Sequence, residues 1–172
     1  MIDGLSLRST ALDDLPWVLA TEARPEISRW VLRWPADRHR RAIDDPGEAH
    51  LIAALPDGTR VGYAILRGLE DAHASIELTR VVARPSGCGY GRAIVRALKL
   101  RAFEHYGAER FWLDVLEHNT KAQALYRSEG FVGEGHLRNA VVVDGHRASL
   151  LVMSVLRGEY ARAPAAGDRS QP

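Results

Sequence analysis

The stretch Ser86-Gly87-Cys88-Gly89-Tyr90-Gly91 joins two segments of different periodicity. Before it, Ser75-Ile-Glu-Leu-Thr-Arg-Val-Val-Ala83 is rich in β-branched residues and predicts a strand. After it, Ile94, Val95, Leu98 and Ala102 fall on one face of a helix. Three glycines at every second position therefore occupy a strand-to-helix turn. Without a Cβ the backbone turns sharply and can approach a ligand closely. The unpaired N–H groups and positive dipole end of the following helix favour an anion there, phosphate above all. A plain turn and a phosphate cradle both fit this stretch taken alone.

Working outward, Leu5 and Leu7 begin a first strand that ends at Arg8-Ser-Thr. Asp13-Asp14 ahead of Leu15-Pro16-Trp17 marks a helix start, with Trp17, Val18 and Thr21 on one side and Pro25 as its limit. Six arginines lie between Arg24 and Arg41, with Trp30 and Trp34 among them. They read as solvated faces of one or two amphipathic helices, or as a wall of an acceptor site. Ala49–Leu55, Pro56-Asp57-Gly58 and Arg60–Arg67 form a hairpin.

Beyond the glycine loop, one helix of about 16 residues stops at Gly107, and Arg110–Leu116 is strand. Thr120-Lys-Ala-Gln123 spells a capping box, and Gly130 with Phe131 closes that helix. Phe131–Leu137 and Val141–Leu156 are closing strands, with Asp144-Gly145 as their turn. Residues 1–160 are expected to form one domain and 161–172, built of Ala, Pro, Gly and polar residues, a disordered tail.

The totals are those of an ordinary globular domain: 172 residues, 46% hydrophobic, 26% charged. A net charge of +1 gives no global attraction to nucleic acid or membrane. The single cysteine, Cys88, excludes an internal disulfide and a Cys-based zinc site, and no two of the seven histidines stand at i, i+4, against a metal centre. With no long apolar run and no basic segment ahead of an apolar core, the cytoplasm is the expected location. The loop also lacks the dinucleotide spacing Gly-x-Gly-x-x-Gly and the lysine of a nucleotide-hydrolysing loop.

Glu77 on a strand, Gly87-Cys88-Gly89-Tyr90-Gly91 opening a helix, and Asn119-x-x-Ala122-x-x-Leu125-Tyr126-x-x-x-Gly130-Phe131 together resemble the GNAT N-acetyltransferase superfamily. Its members move an acyl group from coenzyme A to an amine. The likeness is detailed from Ser75 to about Tyr160. Within the superfamily, Ile76–Ala83, Gly89-Tyr-Gly-Arg92 and Leu151–Arg157 look most like the ribosomal-protein N-terminal-alanine acetyltransferase branch. That branch holds enzymes with many acceptors, so its label says little about substrate. The resemblance implies an α+β fold: a twisted, mostly antiparallel mixed sheet, splayed at its fourth strand, with helices on both faces.

It also implies acetyl-CoA as cosubstrate, no metal, and an amine acceptor. Gly87, Cys88, Gly89, Tyr90 and Gly91 would cradle the pyrophosphate through backbone N–H groups. The strand at Val81 and Val82 would pair with the pantetheine arm. Ser86 departs from the Arg or Gln usual at the head of this loop and removes a cation. Arg92, in the first turn of the helix, either replaces that charge or is simply solvated. Cys88 has no implied role as nucleophile, since direct transfer needs no acyl-enzyme.

Glu77 is the candidate base, acting through a water, or else it orients the acceptor or pairs with Arg80. Tyr126 matches the family tyrosine that protonates the departing thiolate; otherwise it is a half-buried core residue. Asn119 bonds the pantetheine arm or caps its helix. A lysine-like amine is neutral at pH 7 in about one molecule in 2,500 and an α-amine in about one in seven, so the first needs several kcal/mol of help and the second about 1. A protein α-amine, a polyamine, an amino sugar and an amine-bearing antibiotic all remain as acceptors. A non-catalytic acyl-CoA-binding or regulatory module of the same fold is the other reading, and a homodimer is compatible with a domain of this size.

Overall fold

The computed structural model describes residues 4–162. Its chain runs β1 (Ser6–Ser9), a 3-10 turn (Leu12–Asp14), α1 (Leu15–Glu22), α2 (Pro25–Ser28), α3 (Ala36–Asp44), β2 (Glu48–Ala54), β3 (Arg60–Arg67) and β4 (Ser75–Ala83). It continues through α4 (Tyr90–Leu100), a π-helical turn (Arg101–His105), β5 (Arg110–Leu116), α5 (Thr120–Ser128), β6 (Val132–Val143), β7 (His146–Leu156) and α6 (Arg157–Arg162). The strands form one seven-stranded sheet in the order β1-β2-β3-β4-β5-β7-β6. Every pairing is antiparallel except β4 with β5.

That parallel pair is short. It holds Ser75 to Arg110, Ile76 to Phe111 and Glu77 to Trp112, and then the strands part. β4 runs on to Ala83 and β5 to Leu116 with no ladder between them. A bulge between Leu78 and Arg80 re-phases β4 against β3. Ile76, Leu78, Val81 and Ala83 consequently pack into the core under α4 and α5, which also holds Ile94, Leu98, Phe111 and Tyr126. Val82 packs on the opposite face with Val18, Ala42, Tyr63 and Ile65, beneath α1 and α3. Helices thus cover both faces.

Local chemistry sets the helix ends. Gly107 adopts φ +69° where the α4 helix stops, after a π-helical turn that the sequence pattern did not reveal. At the end of α5, Phe131 N–H donates to Tyr126 C=O and Gly130 N–H to Arg127 C=O, the paired bonds of a Schellman cap. The capping box expected at Thr120 is not formed. Asn119 is the N-cap and accepts from Ala122 N–H at 3.2 Å, while Gln123 Nε2 donates to the carbonyls of Leu116 and Glu117. The Asn119 carboxamide reaches the first turn, so Thr120 is left inside the helix. Asp144 and Gly145 both have positive φ, as a type I′ hairpin turn requires.

The arginine-rich segment is only partly a solvated face. Arg38 donates two hydrogen bonds to Glu48, at 2.6 and 3.1 Å, and lies over the Trp34 ring. The helix α6 reaches Arg162, two residues past the limit expected for the folded domain, and the rest of the expected tail, 163–172, lies outside the described residues.

At Gly62 the sheet and α4 meet closely. A Cβ there would stand 2.3 Å from Val82 O and 2.6 Å from Ile94 Cδ1. Gly62→Ala should therefore cost about 2 kcal/mol and lower the thermal midpoint by about 4–8 °C. Scanning calorimetry reads this; an unchanged midpoint would contradict the packing described.

Candidate active site

The glycine loop is exposed from Ser86 to Gly89. Gly87 and Gly89 adopt φ of +88° and +80°, backbone that favours glycine, and Gly89 is the residue that opens α4. Among the described residues, no amide from Ser86 to Arg92 donates a hydrogen bond of ordinary geometry, and the first α4 bond is Ala93 N–H to Gly89 C=O at 3.1 Å. A Cβ on Gly87 would meet nothing within 4 Å. The Tyr90 side chain turns into the core while its amide stays at the helix opening. Cys88 is exposed on the loop. Unengaged N–H groups at a helix start fit a diphosphate.

From this loop the parted strands lead into a cleft of about 410 Å³. Its walls include β4 from Glu77 to Ala83, β5 from Asp114 to Leu116, and Asn119, Ala122 and Tyr126 of α5. The backbone groups of β4 beyond Glu77 that point toward β5 meet no strand, so an extended amide-bearing arm can pair there. Both features fit coenzyme A, whose diphosphate and pantetheine have those chemistries. The cleft thus brings Glu77, Val81, Val82, Asn119 and Tyr126 together.

Tyr126 is buried, with its ring 5.6 Å from that of Phe131. Its hydroxyl makes no hydrogen bond within the described residues, and the side chain both belongs to the core and lines the cleft. Burial, and then the Asp114 carboxylate, push its pKa well up, which keeps it protonated and able to donate. Burial also raises Glu77 above the usual carboxylate range, with Arg67 opposing and Asp114 adding to the shift. Arg67 lies 3.8 Å from Glu77, a loose pairing.

Two expectations are corrected here. Arg80 does not pair with Glu77: the bulge at Thr79 leaves both on one face of β4, but Arg80 donates to Glu22 at 2.6 Å. Arg92 does not point at the glycine loop's anion site. It donates to Ser128 Oγ at 3.0 Å and lies 3.2 Å from Glu129. Arg92, Arg96 and Lys99 share one helix face at i, i+4 and i+7, and Glu129 at the end of α5 draws all three. Asn119 combines both of its readings, since it caps α5 and lines the cleft.

Asp114 was missed. Strand alternation puts it two residues beyond Trp112, the partner of Glu77, and therefore on the same face. It lines the cleft across the seam from Glu77, and burial raises its pKa. Ile27 to Leu32 and Trp34 form another wall of the cleft, in keeping with the second reading of the arginine-rich segment.

A buried polar network holds that wall. Glu22 accepts from Tyr63 Oη, from Arg80 and, at 3.0 Å, from Trp34 N–H. His39 Nε2 approaches Glu22 to 3.3 Å, His39 Nδ1 lies 3.0 Å from His50 Nε2, and His50 Nδ1 lies 2.8 Å from Thr10 Oγ1. Burial alone would raise Glu22, but hydrogen bonds from His39, Tyr63 and Trp34 and the charge of Arg80 leave it lowered to about 2. The Trp34 ring is flanked by the guanidinium groups of Arg38 and Arg80, 4.1 and 4.3 Å from its centroid. No sequence signal marks this network, because Glu22 and Arg80 stand 58 residues apart.

Among known proteins, residues 9–131 match the model of the Acetyltransferase (GNAT) family. A spermidine N(1)-acetyltransferase of Vibrio cholerae is 25% identical over 168 residues, covering 93% of this chain and 97% of that protein. An uncharacterized N-acetyltransferase of Mycobacterium tuberculosis is 31% identical over 134 residues, 76% of this chain and 84% of that one. The crystal structure of spermidine N-acetyltransferase from Vibrio cholerae in complex with CoA and spermine has a TM-score of 0.82, covering 91% of this chain and 98% of that one, at 23% identity. That likeness is one of fold. No helix among the described residues is long and apolar enough to cross a membrane, and no cluster of three metal-ligating side chains occurs among them.

The network has a pH signature. Burial and then His39 lower His50 from 6.5 to about 4. A group depressed on folding binds protons preferentially when unfolded, so its contribution to stability is complete above pH 6.5 and is lost as pH falls toward 4. For Glu22 the corresponding loss begins only below its unfolded value of 4.5. The thermal midpoint should fall between pH 6.5 and 4.5, and His50→Leu should flatten that part of the curve. An equally steep fall in the variant would contradict this assignment.

Proposed function

The chain belongs to the acetyltransferase (GNAT) family, and from that premise we propose that it acetylates a small-molecule primary amine by direct attack within a ternary complex. It is an acetyl-CoA-dependent N-acetyltransferase. The observation that carries the proposed mechanism is the cleft itself, which runs along the parted strands to a point where Glu77, Asp114 and Tyr126 all line its wall. Acetyl-CoA supplies the activated acetyl group. The chain's amides at Gly87–Gly91 hold its diphosphate, and the free edge at Val81 and Val82 aligns its arm. A backbone N–H of that edge faces the thioester oxygen as charge develops there.

Glu77 takes the proton of the attacking amine, directly or through a water. Its raised pKa suits it to this, because a more basic carboxylate is a better match for an ammonium. Asp114 supplies a second negative charge across the seam and helps to draw the protonated amine in. Tyr126 donates its proton to the departing thiolate.

A protein N-terminal α-amine is the less favoured acceptor. The ribosomal-protein branch was suggested by short motifs, whereas a relative spanning nearly the whole chain is named for spermidine. A non-catalytic module is disfavoured too, since a pair of carboxylates and an untethered tyrosine hydroxyl converge on one cleft.

Thiol release from acetyl-CoA with a panel of primary amines tests the proposal, and acetyl-CoA binding with no release on any amine would favour the module. Tyr126→Phe should lower kcat at least tenfold with almost unchanged acetyl-CoA affinity; an unaltered rate would remove the acid role. Glu77→Gln should cost about tenfold near pH 8 with an α-amine and far more with a lysine-like amine, because the second depends more on a base.

A further inference from the structure

The distribution of charge in the cleft narrows the acceptor. Among the described residues, its acidic side chains are Glu77 and Asp114 alone, and both stand at the seam where β4 and β5 part. Away from the seam the wall is apolar: Ile27, Trp30, Val31 and Trp34 on one side, Val141 and Val143 of the closing hairpin on the other. Trp30 is 39% exposed and lies 5.5 Å from the ring of His118, so an indole face borders the cleft near solvent. The remaining charges in the lining are Arg29 and Arg80. Arg80 is held behind the wall by Glu22, and Arg29 donates to Pro25 C=O.

One ammonium therefore finds carboxylates, and only at the reacting end. A second ammonium a few methylenes away would leave water for hydrocarbon, where the lining among the described residues offers arginine and no further acid. A hydrocarbon or aromatic body meets indole rings and branched aliphatic side chains there, which favours its transfer from water. Resting on the amine-acetylation reading above, we propose that the acceptor is a monoamine with an apolar, preferably aromatic, body and not a polyamine. Trp30 is then a specificity-determining residue, forming the side of the subsite for that body.

The full chain, with acetyl-CoA, should be assayed by thiol release on 2-phenylethylamine, hexylamine, putrescine, spermidine and a short peptide with N-terminal phenylalanine. The expected order places 2-phenylethylamine at least tenfold above spermidine and putrescine in kcat/KM, with hexylamine between. Trp30→Ala, at a partly exposed position, should raise the KM for 2-phenylethylamine fivefold or more and leave acetyl-CoA affinity unchanged. Val141→Asp, which places an acid on the apolar wall, should narrow the preference over spermidine. Spermidine at or above 2-phenylethylamine, or an unmoved KM in Trp30→Ala, would overturn the inference while leaving amine acetylation intact. A peptide preferred over the free amines would overturn it in favour of protein N-termini. No release on any amine would overturn the acetylation reading itself, and this inference with it.

Discussion

The site depends on one interrupted ladder. Two parallel strands that share three residue pairs and then diverge leave a row of main-chain groups with no partner in the sheet. Buried backbone groups without partners are costly, so such an edge persists only where water or a ligand can reach it. Here the edge opens into the cleft, and at its far end lie the unengaged amides of a helix start. A diphosphate and an amide-bearing arm satisfy both sets of groups with no demand on side-chain identity. This explains how the loop tolerates Ser86 in place of a cation, and why Arg92 can be committed to Glu129 without emptying the site of binding chemistry.

The side chains proposed for catalysis take their places from the same divergence. Glu77 is the last residue of β4 paired with β5, and Asp114 stands two residues past its partner Trp112. The two carboxylates thus stand on one face at the opening of the seam, and burial raises the pKa of each. Tyr126 reaches the cleft from α5, whose start is fixed by the Asn119 cap and whose end is fixed by the Gly130–Phe131 clasp. On the acceptor side, Glu22 gathers α1, α3, β3, β4 and the Trp34 backbone around one buried charge. A buried charge with this many donors is strongly held, and so is the wall it supports.

What the sequence made legible was whatever is encoded within a few residues. Strand alternation, the positive-φ glycines at Gly107 and Gly130, the Asp144-Gly145 turn and the glycine loop each state their geometry locally. Glu77 and Tyr126 were legible through motif spacing, and the cleft receives both. Competition between near neighbours was harder to read. Thr120 and Asn119 both suit a cap, and only the observed geometry favours Asn119. Arg92 looked free because its partner, Glu129, lies 37 residues on, and Arg80, which shares a face of β4 with Glu77, is drawn away by Glu22, 58 residues distant. Asp114 was within reach of the alternation argument once Trp112 was aligned with Glu77, an alignment that requires the sheet order. The Glu22 network was beyond reach, because its members are scattered along the chain from Thr10 to Arg80.

The central claim is that main-chain amides from Gly87 to Gly91 bind the diphosphate of the cosubstrate. Titrating coenzyme A into ¹⁵N-labelled protein and following amide resonances tests it most directly. The account predicts that the amides of Gly87, Cys88, Gly89, Tyr90 and Gly91 move furthest, with slower hydrogen exchange, and that those of Val81 and Val82 move with them. Shifts collected elsewhere, with the loop amides unmoved at saturating coenzyme A, would contradict it.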